Sequence, residues 1–198
     1  MSVKVAINGF GRIGRLVLRA LIENGRTDVE VVAINDLGPV ETNAHLLQYD
    51  SVHGRFPSEV THGEGWIDAG RGPIAVTAIR NPAELPWGDV DIVLECTGIF
   101  KGDKAKVHLE NGASRVLVSA PSSGADKTIV YGVNHGTLTA DDSRLTKPPP
   151  SPPGAGKSGE WGAGCGDGKG ASGSRKGDGG SWGPGGPGDD GGEEDGHE

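Results

Sequence analysis

The sequence predicts an α/β domain with a doubly wound, mostly parallel sheet, followed by a tail unable to build a core. Two observations carry this reading. Short apolar runs alternate with helix-periodic segments from Val3 to Ser119, the order that βαβ units impose. From Lys147 to Glu198 there is no Val, Ile, Leu, Met, Phe or Tyr. Glycine makes up roughly a third of that stretch, a composition that cannot offset the entropy of ordering. The expected division is residues 1–142 as the domain and 143–198 as a disordered, low-complexity acidic tail.

Each element has its own reason. Val3 to Ile7 is a buried apolar strand, and Gly11 to Asn24 a helix with Leu16, Val17, Ala20 and Leu21 expected inward and Gly25 as its C-terminal cap. Val29 to Ile34 is a second apolar strand ending at Asn35-Asp36. Apolar strands joined by a helix imply a parallel sheet covered on both faces and a right-handed crossover. Val40 to Tyr49 reads as a helix, and Asp50 to Arg71 as an irregular loop with short antiparallel strands. Ile74 to Ile79 is a strand; Asn81-Pro82 opens a turn or short helix that Pro86-Trp87 ends. Asp91 to Cys96 is a strand closed by Thr97-Gly98. Asp103 to Glu110 is a short helix with Asp103 as expected N-cap and Gly112 beyond its end. Arg115 to Ser119 is a strand, and Thr128 to Val133 one more.

The formal charge is −8, and the tail from Pro148 onward holds nine acidic against four basic side chains. No basic surface for neutralising phosphates is expected, which argues against a nucleic-acid partner. No run reaches membrane-spanning length, and the N-terminus lacks a signal-peptide apolar region. The two cysteines, Cys96 and Cys165, form no C-x-x-C pair. Neither a disulfide framework nor a metal site is expected, and a reducing cytoplasm is the default compartment.

The segment most informative about chemistry is Asn8-Gly9-Phe10-Gly11-Arg12-Ile13-Gly14-Arg15. It is a Gly-x-Gly-x-x-Gly pattern with a strand before it and a helix after it, the setting that gives such a pattern meaning. Gly9 makes the tight turn, Gly11 admits a pyrophosphate to the backbone, and Gly14 lets helix and strand pack closely. The next strand ends in Asp36, 22 residues beyond Gly14. A carboxylate there accepts hydrogen bonds from the adenosine ribose and repels a 2′-phosphate, which favours NAD over NADP. The fold class is thus Rossmann-like, with NAD as the expected cofactor.

The chain also resembles the N-terminal, NAD-binding part of type I glyceraldehyde-3-phosphate dehydrogenases over about residues 1–142. The resemblance rests on Val5 through Arg15, Ala33 to Leu37, Tyr49 to Phe56, Arg80-Asn81-Pro82, Glu95 to Phe100, Val118 to Ser122 and Thr128 to Leu138. It implies that Gly9, Phe10, Gly11, Arg12, Ile13 and Gly14 form the pyrophosphate turn and that Asp36 holds the ribose. It places Arg80 by the adenine, Thr97, Gly98 and Phe100 along the groove, and Ser119 toward the nicotinamide. It also implies homologous subunits as partners, since the family is homotetrameric.

Beyond Asp142 the family pattern stops. The family's Ser-x-Ala-Ser-Cys-Thr-Thr-Asn segment, which carries the nucleophilic cysteine, is not among these 198 residues. No catalytic residue is therefore assigned, and the chain is expected to hold NAD without turning over. Cys96 lies in an apolar strand and reads as a buried, inert thiol, while Cys165 lies between two glycines with nothing to activate it. Ser151 to Ser158 mimics a phosphate-binding loop, but its first position is Ser151 and no strand or helix flanks it. A non-catalytic NAD-binding or subunit-interaction module is the alternative reading, and an erythrose-4-phosphate dehydrogenase lineage the runner-up within the family.

Overall fold

Val3–Asn8 forms β1 and Arg12–Glu23 forms α1 in a computed structural model that describes residues 2–148. The expectations placed on residues 149–198, including the disordered tail, Cys165 and the Ser151–Ser158 stretch, lie outside the described residues. Then follow β2 (Val29–Asn35), α2 (Val40–Gln48), a hairpin of β3 (Tyr49–Asp50) and β4 (Gly54–Arg55), β5 (Thr61–Gly63) and β6 (Trp66–Asp68). The chain continues with β7 (Pro73–Thr77), β8 (Ile92–Glu95), α3 (Val107–Glu110), β9 (Arg115–Val118), β10 (Lys127–Thr128) and β11 (Arg144–Thr146).

Nine strands form one sheet in the order β10-β11-β9-β8-β1-β2-β7-β6-β5. All pairings from β10 to β7 are parallel, whereas β6 pairs antiparallel with both β7 and β5. Alternation along the strands sends side chains to two cores. Ile7, Ile34, Ile74 and Val76 face one core, where Leu18 of α1 and Ala44 and Leu47 of α2 cover them. Ala6, Val93, Val116 and Val118 face the other, beneath Leu85, Trp87 and Ala105. The doubly wound Rossmann-like class read from the sequence is the observed one.

Four local expectations are corrected. The buried residues of α1 are Gly14, Leu18 and Arg19, while Leu16, Val17 and Leu21 are only half-buried and Ala20 is exposed. The packed stripe runs Gly14-Leu18-Ile22, one residue in four, because Gly14 alone can approach β1. Arg19 is buried with its charge partnered: it donates to Glu23 and to the Gly54 carbonyl and lies over the Phe56 ring.

Asp103 is not an N-cap. A 3-10 turn spans Gly102–Lys106 ahead of α3, its cap is Lys101, and Asp103 instead pairs with Lys106 at 2.7 Å. The Thr128–Val133 strand shrinks to Lys127–Thr128, because the Asn134 side chain bonds Val130 N–H and the Thr128 carbonyl and turns the backbone. Finally, the sheet runs past Asp142: Arg144–Thr146 inserts between β9 and β10. Gly25 does cap α1, at φ +64°, with Gly25 N–H bonded to the Ile22 carbonyl and Arg26 N–H to that of Leu21.

Candidate functional site

Parallel strands end together on one edge of the sheet, so the residues that follow them are brought side by side. Across the adjacent strands β9-β8-β1-β2-β7 these residues are Ser119, Thr97-Gly98, Gly9 to Gly14, Asp36 and Arg80. Four interstrand spacings of about 4.8 Å give a row roughly 19 Å long. That length suits an elongated, two-ended ligand better than a small one. The order of strand addition reverses between β1 and β8, which stay parallel. The chain builds outward from β1 through β2 and β7, then crosses back to add β8 and β9 on the other side, and ligands of such sheets bind in the crevice that opens there.

The glycine turn is dictated by contact. Gly9 has φ +93°, and a Cβ there would lie 2.7 Å from the Thr97 amide nitrogen. A Cβ on Gly14 would lie 2.3 Å from the Gly9 carbonyl oxygen. Gly11 differs: a Cβ there would meet nothing within 4 Å. Gly11 is also the N-cap of α1, and no side chain caps that helix start. The first amides of α1, on Arg12 and Ile13, have no acceptor within the helix, and the positive end of its dipole faces open space. Both side chains are exposed, so these residues offer backbone rather than packing.

Asp36 fastens this turn. Its Oδ2 accepts the Phe10 amide at 2.7 Å, while its Oδ1 accepts Gly38 N–H at 2.8 Å and the Asn43 amide at 3.3 Å. The Phe10 ring is wholly buried in the core, so only its backbone lies at the crevice. Arg15 donates to the Phe10 carbonyl at 2.8 Å, and burial lowers its guanidinium pKa.

On the other wall, Gly98 has φ +73° and the Thr97 hydroxyl accepts Ile99 N–H at 3.1 Å. Ser119 is tied through its amide to the Glu95 carbonyl at 2.9 Å. Burial pushes the Cys96 thiol up, only partly opposed by its hydrogen bond with Ser119. This is the opposite of what a nucleophilic cysteine needs. Arg80 is exposed beyond β7, next to Ile79, whose amide and carbonyl are both held by the Asn35 side chain. Phe100 meets the His108 ring edge-on at 6.5 Å.

The sequence reading passed over a buried polar chain beneath the crevice, formed by Asn35, Asn8, Glu95 and His108. Its signal was present: apolar strands that end in Asn8, Asn35 and Glu95 place a polar residue at the same edge three times.

No helix among the described residues is long and apolar enough to cross a membrane. Residues 3–103 match the family described as glyceraldehyde 3-phosphate dehydrogenase, NAD binding domain. The glyceraldehyde-3-phosphate dehydrogenase of Cereibacter sphaeroides is 76% identical over 143 residues, 72% of this chain and 43% of that protein. That of Xanthobacter flavus is 74% identical over 142 residues, 70% of this chain and 42% of that protein. The chromosomal enzyme of Cupriavidus necator is 59% identical over 151 residues, 74% of this chain and 45% of that protein. The chain thus spans less than half the length of the curated relatives it matches. With the family match covering half of the chain and the glycine turn and Asp36 arranged as described, the chain belongs to the glyceraldehyde 3-phosphate dehydrogenase NAD-binding domain family, whose cofactor is NAD.

Proposed function

We propose that this chain binds NAD across the strand-end crevice and that its lineage is the phosphorylating oxidation of glyceraldehyde 3-phosphate. The observation that carries this is the uncapped start of α1, open at Gly11 and fastened beside Asp36 through the Phe10 amide. In this reading the Arg12 and Ile13 amides hold the pyrophosphate, Asp36 the adenosine ribose and Arg80 the adenine edge. Thr97, Gly98 and Phe100 line the groove, and Ser119 lies toward the nicotinamide. When bound, NAD supplies a hydride acceptor; the residues here bind and orient it.

The family's cysteine segment is not among the 198 residues, and the raised Cys96 thiol is a poor substitute. The purified chain is expected to bind NAD without phosphate-dependent NADH production from glyceraldehyde 3-phosphate. Calorimetric titration with NAD tests the first half, and absence of saturable heat from folded protein would remove it. Turnover by a sample free of full-length enzyme would remove the second.

A second reading is favoured by exposed apolar residues on loops: Tyr131 at 88%, Val133 at 80% and Val52 at 78%. Tyr131 and Val133 stand two residues apart on one turn, and exposed apolar groups set this close support pairing with homologous subunits in the cytoplasm. Co-purification with a full-length homologue tests it, and failure to associate counts against it.

A further inference from the structure

Under the crevice, hydrogen-bond donors converge on one carboxyl group from two directions. The Ile79 amide can only donate, and it donates to Asn35 Oδ1 at 2.8 Å. Asn35 Nδ2 must then face Asn8 Oδ1, at 2.8 Å, which leaves Asn8 Nδ2 to donate to Glu95 Oε2 at 2.6 Å. From the other side the Trp87 indole, also donor only, donates to His108 Nδ1 at 3.0 Å. His108 therefore carries its proton on Nε2 and donates it to the same Glu95 Oε2 at 2.9 Å. The remaining oxygen, Oε1, accepts the Thr97 amide at 2.8 Å and also bonds the Thr97 hydroxyl. Glu95 and His108 are completely buried.

We infer that Glu95 is a positioning residue: it holds the Thr97–Ile99 wall of the crevice and, through it, the Gly9 turn. The coupling is steric as well as polar, since Gly9 lies so close to Thr97 that a Cβ would be 2.7 Å from its amide nitrogen. The Thr97 hydroxyl passes the restraint on to the Ile99 amide. A carboxylate is required because both of its oxygens face donors. The carboxamide of a glutamine would place an N–H₂ against one of those sets. Neither Asn8 nor His108 can reverse, because Asn35 with Ile79 and Trp87 hold them. The half-exposed Thr97 side is the one free to open.

This inference rests on the crevice being the NAD site, and the test separates the two. Amide exchange on the full chain without ligand reads the hold on the turn directly. In Glu95→Gln the Thr97 and Ile99 amides are expected to exchange about tenfold faster or more, with Val93 and Val116 unchanged. In the same variant NAD is expected to bind about tenfold more weakly, and adding Thr97→Val should weaken it little further. Unchanged exchange at Thr97 and Ile99 overturns the inference. So does uniform acceleration that includes Val93 and Val116, which would mark a merely structural role. Local acceleration with unchanged NAD affinity overturns the link to the cofactor. Failure of the unaltered chain to bind NAD removes the proposed function, while exchange still decides whether Glu95 holds the turn. If Glu95→Gln does not fold, Thr97→Val alone must accelerate Ile99 and weaken NAD, and a neutral result there sinks the idea.

Discussion

Two glycines of one motif obey different physics. At Gly14 a methyl group would collide with backbone, the Gly9 carbonyl at 2.3 Å, which no rotamer change can relieve. Gly14→Ala is therefore expected to destabilise the fold by about 2 kcal/mol or more, seen as a lower thermal midpoint. At Gly11 a Cβ has no neighbour within 4 Å. Gly11→Ala should leave stability within about 0.5 kcal/mol of the parent yet weaken NAD, because the only thing it can obstruct is a ligand. Equal loss of stability in both variants would show that the crevice at Gly11 is not open. Asp36 adds a third case. Its two oxygens already take Phe10 N–H and Gly38 N–H, so Asp36→Asn turns an amide donor toward a backbone donor. Here the expected loss is in NAD affinity and in the turn's order together, and an unchanged titration would contradict the role proposed for this residue.

Elements were legible where a local rule decided them and obscure where a distant partner did. The strand–glycine turn–helix unit could be read because Val3 to Ile7, the glycines and Gly25 each act within a few residues. The inward face of α1 could not, since the approach of Gly14 to β1 and the partners of Arg19 come from elsewhere in the chain. Nor could β11, whose three residues include a single apolar side chain, Leu145. Its place depends on Asp126, 18 positions before Arg144, which accepts the amides of Ser143 at 3.0 Å and Arg144 at 2.8 Å and pairs with the Arg144 guanidinium. Burial by itself would raise the Asp126 pKa, but these bonds outweigh it and hold the group at about 2 against an ordinary 3.8. A depressed pKa contributes stability that is complete above the unfolded value and fades as pH falls from about 4 to about 2. The stability gap between parent and Asp126→Asn should accordingly be widest near neutrality and close across that window. A gap that persists at pH 2 would mean that the asparagine fails for reasons of shape rather than charge.

For the whole molecule, the test is whether the crevice acts as a site in the folded chain. A ligand that binds only the native state stabilises it by an amount set by its concentration relative to its dissociation constant, about 2.7 kcal/mol at a hundredfold excess. For a domain of this size that corresponds to a rise in thermal midpoint of roughly 5–10 °C. NAD should therefore raise the midpoint in a concentration-dependent way. NADP at the same concentrations should do much less, because its 2′-phosphate would meet the Asp36 carboxylate where a ribose hydroxyl is expected. Gly11→Ala should keep the parent's midpoint without ligand and lose most of the NAD-induced rise. This combination distinguishes a cofactor site from non-specific stabilisation, since an effect of ionic strength or crowding would act on parent and variant alike and would favour the more charged NADP. Equal shifts from NAD and NADP would remove Asp36 as the discriminating group. No shift from either, in a chain that unfolds cooperatively, would mean that the strand-end row is held in shape but takes no dinucleotide.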